Sequence, residues 1–360
     1  MVVRRQVHGK QIHQRVVMAL TDITTARPTS TDLFGQCTEL LRDALGFDAA
    51  CWHLNDHVTG LITTIHPDGL DPRGFAQAAH LEFGCDDVAT FAKIRGSGQS
   101  ADALSHATQG HVAQSIRYRE QLQPAGFGDE LRANFDAQGG RWGCAAFMRA
   151  ADRGPYTPHE LRIARQIARQ LGAALRGLHS PAPGPDPDAE RFPAAAVLGP
   201  RNELLAADPS AEALIAELNA DQPELDVPAS FLVVAGRARR MEVARARVRS
   251  ERGTWLVVHA SLLDGRRDGR RDGRICVVAT VAAPAEVVPI ALIGYGLTPR
   301  EQEVALHVVR GRSTSDIARI LSLTNLTVQD HLKAIFAKTS VRSRRQLVAQ
   351  LFAATPPETV

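Results

Sequence analysis

Apolar residues recur along this chain with two periods, and the alternation between them divides it. From Thr31 to Leu45, Leu33, Phe34, Cys37, Leu40, Leu41 and Leu45 fall at helical spacing and Gly46 ends the run, which predicts an amphipathic helix. Phe47–Leu54 and Gly60–Ile65 then read as a strand pair, with Pro67-Asp68-Gly69 as a turn. The stretch Asp71–Gln123 mixes both patterns and leans helical. Strands return at Asp129–Asp136 and Gly140–Arg149, across the tight Ala137-Gln138-Gly139 link. Thr157, Pro158 and Glu160 make a capping box with proline in the first turn. Leu161, Ala164, Ile167, Ala168, Leu171 and Leu175 give the helix behind it one buried stripe.

A proline stands at every second position from Pro181 to Pro187, which favours an extended linker and sets a domain boundary. Beyond it the alternation resumes. Ala194–Leu198 and Glu203–Ala206 read as a hairpin, and Pro209–Leu218 and Pro228–Arg240 as helices. Glu242–Ser250, Gly253–Leu262 and Arg274–Val281 read as strands with one face inward. The repeat GRRDGRRDGR at 265–274 is polar and glycine-rich and reads as a surface loop at the last hairpin.

From Thr298 the pattern becomes wholly helical. Thr298-Pro299-Arg300-Glu301 is a capping box, Ser313 to Asp316 repeats its logic, Thr324 caps a third helix, and Ser343 to Gln346 is the S-x-x-Q version. In the third helix Val328, Leu332, Ile335 and Phe336 form one apolar stripe. Leu326, Gln329, Asp330, Lys333 and Ala337 lie opposite, an arrangement that fits either a major groove or a solvated bundle face.

The residues separate those two readings. LTPREQEV, the turn glycine Gly311, SDIA (315–318), TVQDHL (327–332), IFAK (335–338) and VRSR (341–344) run in the order and spacing of the LuxR-type helix-turn-helix. The segment closely resembles this tetrahelical module of LuxR- and NarL-like (GerE-type) bacterial regulators. Upstream, the order helix, strand pair, variable middle, strand pair, long helix resembles a GAF sensor domain. The hairpin, short helices and three strands after the prolines resemble a PAS domain. The expected fold is therefore multidomain: an α+β GAF-like sensor over 10–179, a proline-rich linker over 180–190, an α+β PAS-like domain over 191–288 and an all-α LuxR-type helix-turn-helix over 294–357.

The resemblance implies a sequence-specific DNA-binding transcriptional regulator under sensory control. Base edges fall to Gln329, Asp330 and Lys333. Flanking or phosphate contacts fall to Thr327, Val328, His331, Lys338, Arg342, Ser343 and Arg344, and dimer contacts to Leu347, Val348 and Leu351. Double-stranded DNA and a second copy of the chain are the expected partners. RNA polymerase and a small-molecule effector in the GAF-like or PAS-like region are further partners the resemblance admits. Two positions depart from the family pattern: Gln329, where lysine is common, and Ser340, where glycine often stands.

Charge agrees with this division. From Gly296 onward nine Lys or Arg residues face five Asp or Glu, while the whole chain carries only +3, so the positive field belongs to the tail. No apolar run is long enough to span a bilayer, and the Val16–Leu20 patch is too short for a signal-peptide core, so a cytoplasmic location is expected. The five cysteines are scattered without a C-x-x-C pair, as expected of reduced thiols.

No Walker A, G-x-S-x-G, H-E-x-x-H or strand-borne G-x-G-x-x-G motif occurs, so no enzymatic activity is expected. Cys51 and His53 share a strand face and His57 follows across the turn. The three make either a Cys/His metal cluster or a half-buried cysteine beside surface histidines. A haem would need an axial ligand such as His80, His106 or His111, none singled out by spacing. No metal or other cofactor is assigned. The rival reading in another class is a signalling adaptor that binds partner proteins and uses the helical tail only to dimerise.

Overall fold

The computed structural model describes residues 18–19, 21–22, 29–178, 193–250, 252–263, 266–267 and 270–352. The proline run at 181–187, and the boundary drawn from it, lie outside these residues. Helix α1 (Ser30–Leu45) starts where Thr29 caps the Asp32 amide and ends at left-handed Gly46. Strands β1 (Ala49–Asn55) and β2 (Ile62–Asp68) follow, β2 beginning later than its sequence suggests. The reason is local. Asp56 accepts hydrogen bonds from the Val58 amide (3.1 Å) and Thr59 hydroxyl (2.9 Å), and Gly60 at φ 72° completes the turn. Pro67 lies within β2 and not in a turn, tolerated because β2 is an edge strand.

The ambiguous middle holds the short helix α2 (Phe75–Ala79), a π-helical turn at His80–Gly84, helix α3 (Phe91–Gly96), strand β3 (Ala101–Ala103) and helix α4 (Leu104–Ala107). Long strands β4 (Phe127–Ala137) and β5 (Gly140–Ala150) complete an antiparallel sheet of order β2-β1-β5-β4-β3. Helix α5 (Pro158–Leu178) and α1 cover one face. There Trp52 stacks on Phe34 with centroids 5.2 Å apart and meets Phe147 edge-on at 5.1 Å. All six residues of the predicted α5 stripe are buried in this cluster.

The second unit repeats the strand order. Strands β6 (Ala194–Leu198) and β7 (Leu204–Ala207) precede helices α6 (Pro209–Leu218) and α7 (Ala229–Met241), and strands β8 (Val243–Arg249) and β9 (Trp255–Leu262) follow. The arginine repeat forms a two-residue hairpin, β10 (Arg266–Arg267) with β11 (Arg270–Arg271), before β12 (Ile275–Val281). With that hairpin set aside, the order β7-β6-β12-β9-β8 matches the first sheet strand for strand. From Ala229 to Gly236 helix α7 is buried on every side, between its own sheet and the segment Phe75–Gly84 of the first unit, and its arginines follow only from Arg237 onward. Gly236 permits that approach, since a Cβ there would stand 3.3 Å from the Ala79 carbonyl oxygen. One continuous apolar cluster thus runs through both units.

Helix α8 (Pro284–Gly294), absent from the sequence reading, straddles the expected end of one domain and start of the next. Val287 packs with Val257 of the second sheet, Val288, Ala291 and Leu292 enter the tail's core, and Ile293 packs against the first unit's cluster. The tail comprises α9 (Pro299–Val309), α10 (Thr314–Leu321), α11 (Asn325–Thr339) and α12 (Arg344–Phe352). No helix among the described residues is long and apolar enough to cross a membrane.

Candidate functional sites: a nucleic-acid interface and a charged cavity

The tail is assembled by its caps. Thr298 accepts from the Glu301 amide (3.3 Å) while the Glu301 carboxylate accepts from the Thr298 amide (2.7 Å). Ser313 caps Asp316 (3.1 Å) and Thr324 caps Thr327 (3.1 Å). Ser343 caps Gln346 (3.2 Å), but the Gln346 side chain returns to the Arg342 amide (2.7 Å) and not to that of Ser343. Each bond satisfies an amide that the first turn of a helix leaves without a partner, typically worth about 1 kcal/mol. Ser340 is left-handed (φ 56°, ψ 33°), a conformation that costs serine up to about 1 kcal/mol relative to glycine.

Helix α11 is held by Val328, Leu332 and Ile335 in the core it shares with α9, α10 and α12. This leaves Leu326, Gln329, Asp330 and Lys333 exposed on its outer face. Lys333 is 77% exposed and meets Asp330 at 3.3 Å, an exposed pair worth little and readily exchanged for another partner. Gln329 makes no side-chain hydrogen bond among the described residues. Thr327 and His331 sit at the edges of this face, partly buried.

Six expected positions need correction or refinement. Val328, placed among the flanking contacts, is wholly buried, as its position on the apolar stripe requires, and cannot reach a ligand. Leu347 and Leu351, placed at a dimer contact, are each 0% exposed, because a nine-residue helix has one apolar stripe and α12 spends it on its own module. Val348 is partly buried against the same core. Lys338 is tied to Glu301 at 2.6 Å and Arg344 to the Arg312 carbonyl and Thr314 hydroxyl, both at 2.8 Å, so both brace the module. Arg342 and Ser343 are exposed beside them.

The other candidate lies on the open face of the first sheet. A cavity of about 410 Å³ has an apolar body that includes Ile62, Ile65, Phe75, Phe83 and Met148, and a charged floor. In that floor Glu130 accepts from Arg117 Nε (2.8 Å) and Arg132 Nε (2.9 Å), and Arg132 also pairs with Glu82. Burial alone would raise the Glu130 carboxyl, but Arg117 and Arg132 beside it hold it below the usual range. Asp87 accepts from Ser115 (2.8 Å) and from the Ile116 and Arg117 amides (3.0 Å each).

Cys51 and His53 do share a face, on this cavity's wall, but His57 turns away to stack on Trp142 (5.5 Å). Both histidines are buried, against the expectation of surface positions: His53 of β1 lies against Phe75 and Phe91, and the turn at Asp56 brings the His57 carbonyl to the Arg141 amide of β5. Among the described residues no three metal-binding groups converge. Burial, reinforced by the charge of Arg132, pushes His53 down to about 3, and burial pushes Cys51 up to about 12. His80, His106 and His111 lie outside the cavity wall. Sequence reasoning missed the floor entirely, because charged residues alternating with Leu131, Ala133 and Phe135 read as a solvent face.

Residues 296–351 match the family described as bacterial regulatory proteins, luxR family. No curated protein matches the chain by sequence. Among solved structures, the chain is similar to the GAF domain of a phosphoenolpyruvate-protein phosphotransferase (ptsP) from Coxiella burnetii. The two are 17% identical over 46% of this chain and 93% of that one, with a TM-score of 0.35. It is similar to Escherichia coli SdiA at 12% identity over 95% and 96% of the two chains, with a TM-score of 0.34. Against a ligand- and DNA-bound VqmA of Vibrio cholerae the figures are 16%, 46% and 86%, with a TM-score of 0.23. A LuxR-type helix-turn-helix domain therefore stands at residues 296–351, behind two antiparallel-sheet units.

Proposed function

We propose that the protein is a sequence-specific DNA-binding transcriptional regulator whose α+β units control its C-terminal domain. The observation that carries this is the outer face of α11, where Gln329, Asp330 and Lys333 stand exposed within a segment that matches the LuxR family. Gln329 is suited to adenine, Asp330 to the amino group of cytosine and Lys333 to guanine. Thr327 and His331 flank them, and the exposed Arg342 and Ser343, with Lys338 and Arg344 where they can leave their bracing partners, supply phosphate contacts that make binding fall with salt. Two copies reading a two-fold-related site would use the exposed side of α12, around Arg345 and Ala349, in place of its buried leucines.

The first unit (10–179) serves as a GAF-like sensor and the second (191–288) as a PAS-like domain, a reading supported by their common strand order. The 410 Å³ cavity is the effector site, and RNA polymerase is the downstream partner of the bound regulator. Selection of bound duplexes from a random pool tests the reading. Wild type should enrich one salt-sensitive, two-fold-related site, and Gln329→Lys should shift preference at one base pair per half-site by about 1–3 kcal/mol. No enrichment would favour an adaptor that uses the tail only to pair with another chain. An unchanged site with Gln329→Lys would remove Gln329 from base reading.

A further inference from the structure

The cavity in the first sheet accounts for one side of the segment Phe75–Gly84. Further along, an open cleft of about 1040 Å³ separates the first unit from the second; it shares only Glu82, Phe83 and Phe91 with the wall of the first cavity, and the tail does not line it. Six cations line it: Lys93 and Arg95 of α3, Arg141 of β5, Arg237 and Arg240 of α7, and Arg245 of β8. Asp136 answers Arg95, Glu286 answers Arg245, and Asp86 is shared by Lys93 at 2.9 Å and Arg240 at 4.0 Å. Three of the six charges therefore have no carboxylate of their own. Glu82, the remaining acid of the lining, is already taken by Arg132 from behind.

Two of the cations have no carboxylate partner. Arg141 is anchored by a hydrogen bond from Nη1 to the Thr59 carbonyl (2.9 Å), and a Cβ on left-handed Gly60 would come within 2.8 Å of its Cδ. Glycine there leaves the room the arginine occupies. Arg237, partly buried, makes no ion pair or hydrogen bond among the described residues. Beside these charges stand apolar groups that a water-facing wall does not require: Met241 is 53% exposed and Val243 65% exposed, with Phe83 below.

We propose that this inter-unit cleft is a binding site for a small phosphorylated molecule of nucleotide size, carrying at least two negative charges and an apolar or planar part. Its volume is that of a small-molecule site. Unpaired guanidinium forks on the two walls of one cleft, Arg141 from the first unit and Arg237 from the second, suit phosphate oxygens, whereas one carboxylate would leave most of the charge unanswered. Asp86, bridging Lys93 and Arg240 from the rim, already occupies a position that an anionic group would take. Because Arg245 is held by Glu286 in the first turn of α8, the bound anion competes with α8 for that arginine. The site stands independently of DNA binding by the tail.

The test is calorimetric titration of the full chain, without DNA, with inorganic pyrophosphate and with ATP at physiological salt. Saturable binding is expected, with ATP the tighter of the two because it also covers the apolar wall. Arg141→Ala and Arg237→Ala should each weaken it about tenfold or more, and Lys333→Ala on the recognition helix should leave it unchanged. Should Arg237→Ala lower the melting temperature, Arg237→Lys, which keeps the charge and loses the fork, reads the same site with a smaller loss. No saturable binding of either anion overturns the proposal. So does binding that the cleft variants leave intact, or displacement of ATP from the Lys333→Ala protein by duplex DNA.

Discussion

In the first sheet, β1, β4 and β5 present Cys51, His53, Glu130, Arg132 and Met148 to a hollow of about 410 Å³. In the second, the same three positions of the same strand order present Ala196, Val258, Ala260 and Val277 to a helix that fills the space with Phe231, Val233 and Val234. The filled face is stabilised by burial alone, on the order of 25 cal/mol for each Å² of apolar surface removed from water. The hollow face forgoes that gain and sets buried charges into its floor, which persist because each has an opposite partner within hydrogen-bond distance. One topology thus yields a wall built to dock and a wall built to receive. Helix α7 joins them, with one side on its own sheet and the other on the segment that roofs the hollow.

The largest effect that tests this contrast comes from the floor. Arg132→Met leaves Glu82 buried without an opposite charge, with only the Phe91 amide bonded to it, and should cost about 3–5 kcal/mol in the unfolding of the first unit, followed by the fluorescence of Trp52 and Trp142 in urea. Adding Glu82→Leu should recover most of it, because Arg117 still answers Glu130. A single-variant loss below about 1 kcal/mol would mean that the floor charges are solvated and the two faces less different than their residues suggest.

Next in size is a pair of matched insertions. Ala235→Phe drives a ring into the filled side of α7 and should destabilise by about 1–3 kcal/mol. Ala146→Phe places the same ring against the hollow and should cost less than half as much, while reducing uptake of an apolar dye. Equal penalties would erase the distinction between the faces.

How much of this was readable beforehand follows from how far each signal reaches along the chain. Thr298, Ser313, Thr324 and Ser343 each satisfy an amide three residues away, so the starts of the tail helices could be read directly. The α5 stripe was equally plain, because a long helix buries one side. Helix α8 was not: with Pro289 inside it and apolar residues all round, it shows no period, since its faces serve three different neighbours. Leu347 and Leu351 mark a buried stripe, but periodicity says nothing about whether the covering surface belongs to the same module or a second copy. Glu130, Arg132 and Asn134 alternate with apolar residues as a solvent face would, and only the roof formed by Phe75–Gly84 and the 120–127 segment, with α3 over Asn134, puts them inside. The exposed face of α11 was legible because exposure is the default for polar residues, whereas the cavity floor breaks that default.

The smallest effect is on acid stability, and it separates the two units by titration. His53, on the wall of the hollow, has its pKa lowered by burial and by Arg132 to about 3, against about 6.5 for an unfolded chain. Between those values the unfolded state binds a proton that the folded state refuses. Its contribution is therefore intact above pH 6.5 and is lost as pH falls toward 3, at on the order of 1 kcal/mol per pH unit. His66 of β2, lowered by burial to about 4, adds in the same direction. The filled face has no counterpart, since His259 of β9 points to the opposite, exposed side. Acidification from pH 6.5 to 4.5 should therefore raise hydrogen exchange in β1 and β5 before β9 and β12, and His53→Gln should flatten the dependence. Earlier opening of β9 and β12 would mean that the packed face, and not the hollow one, limits stability in acid.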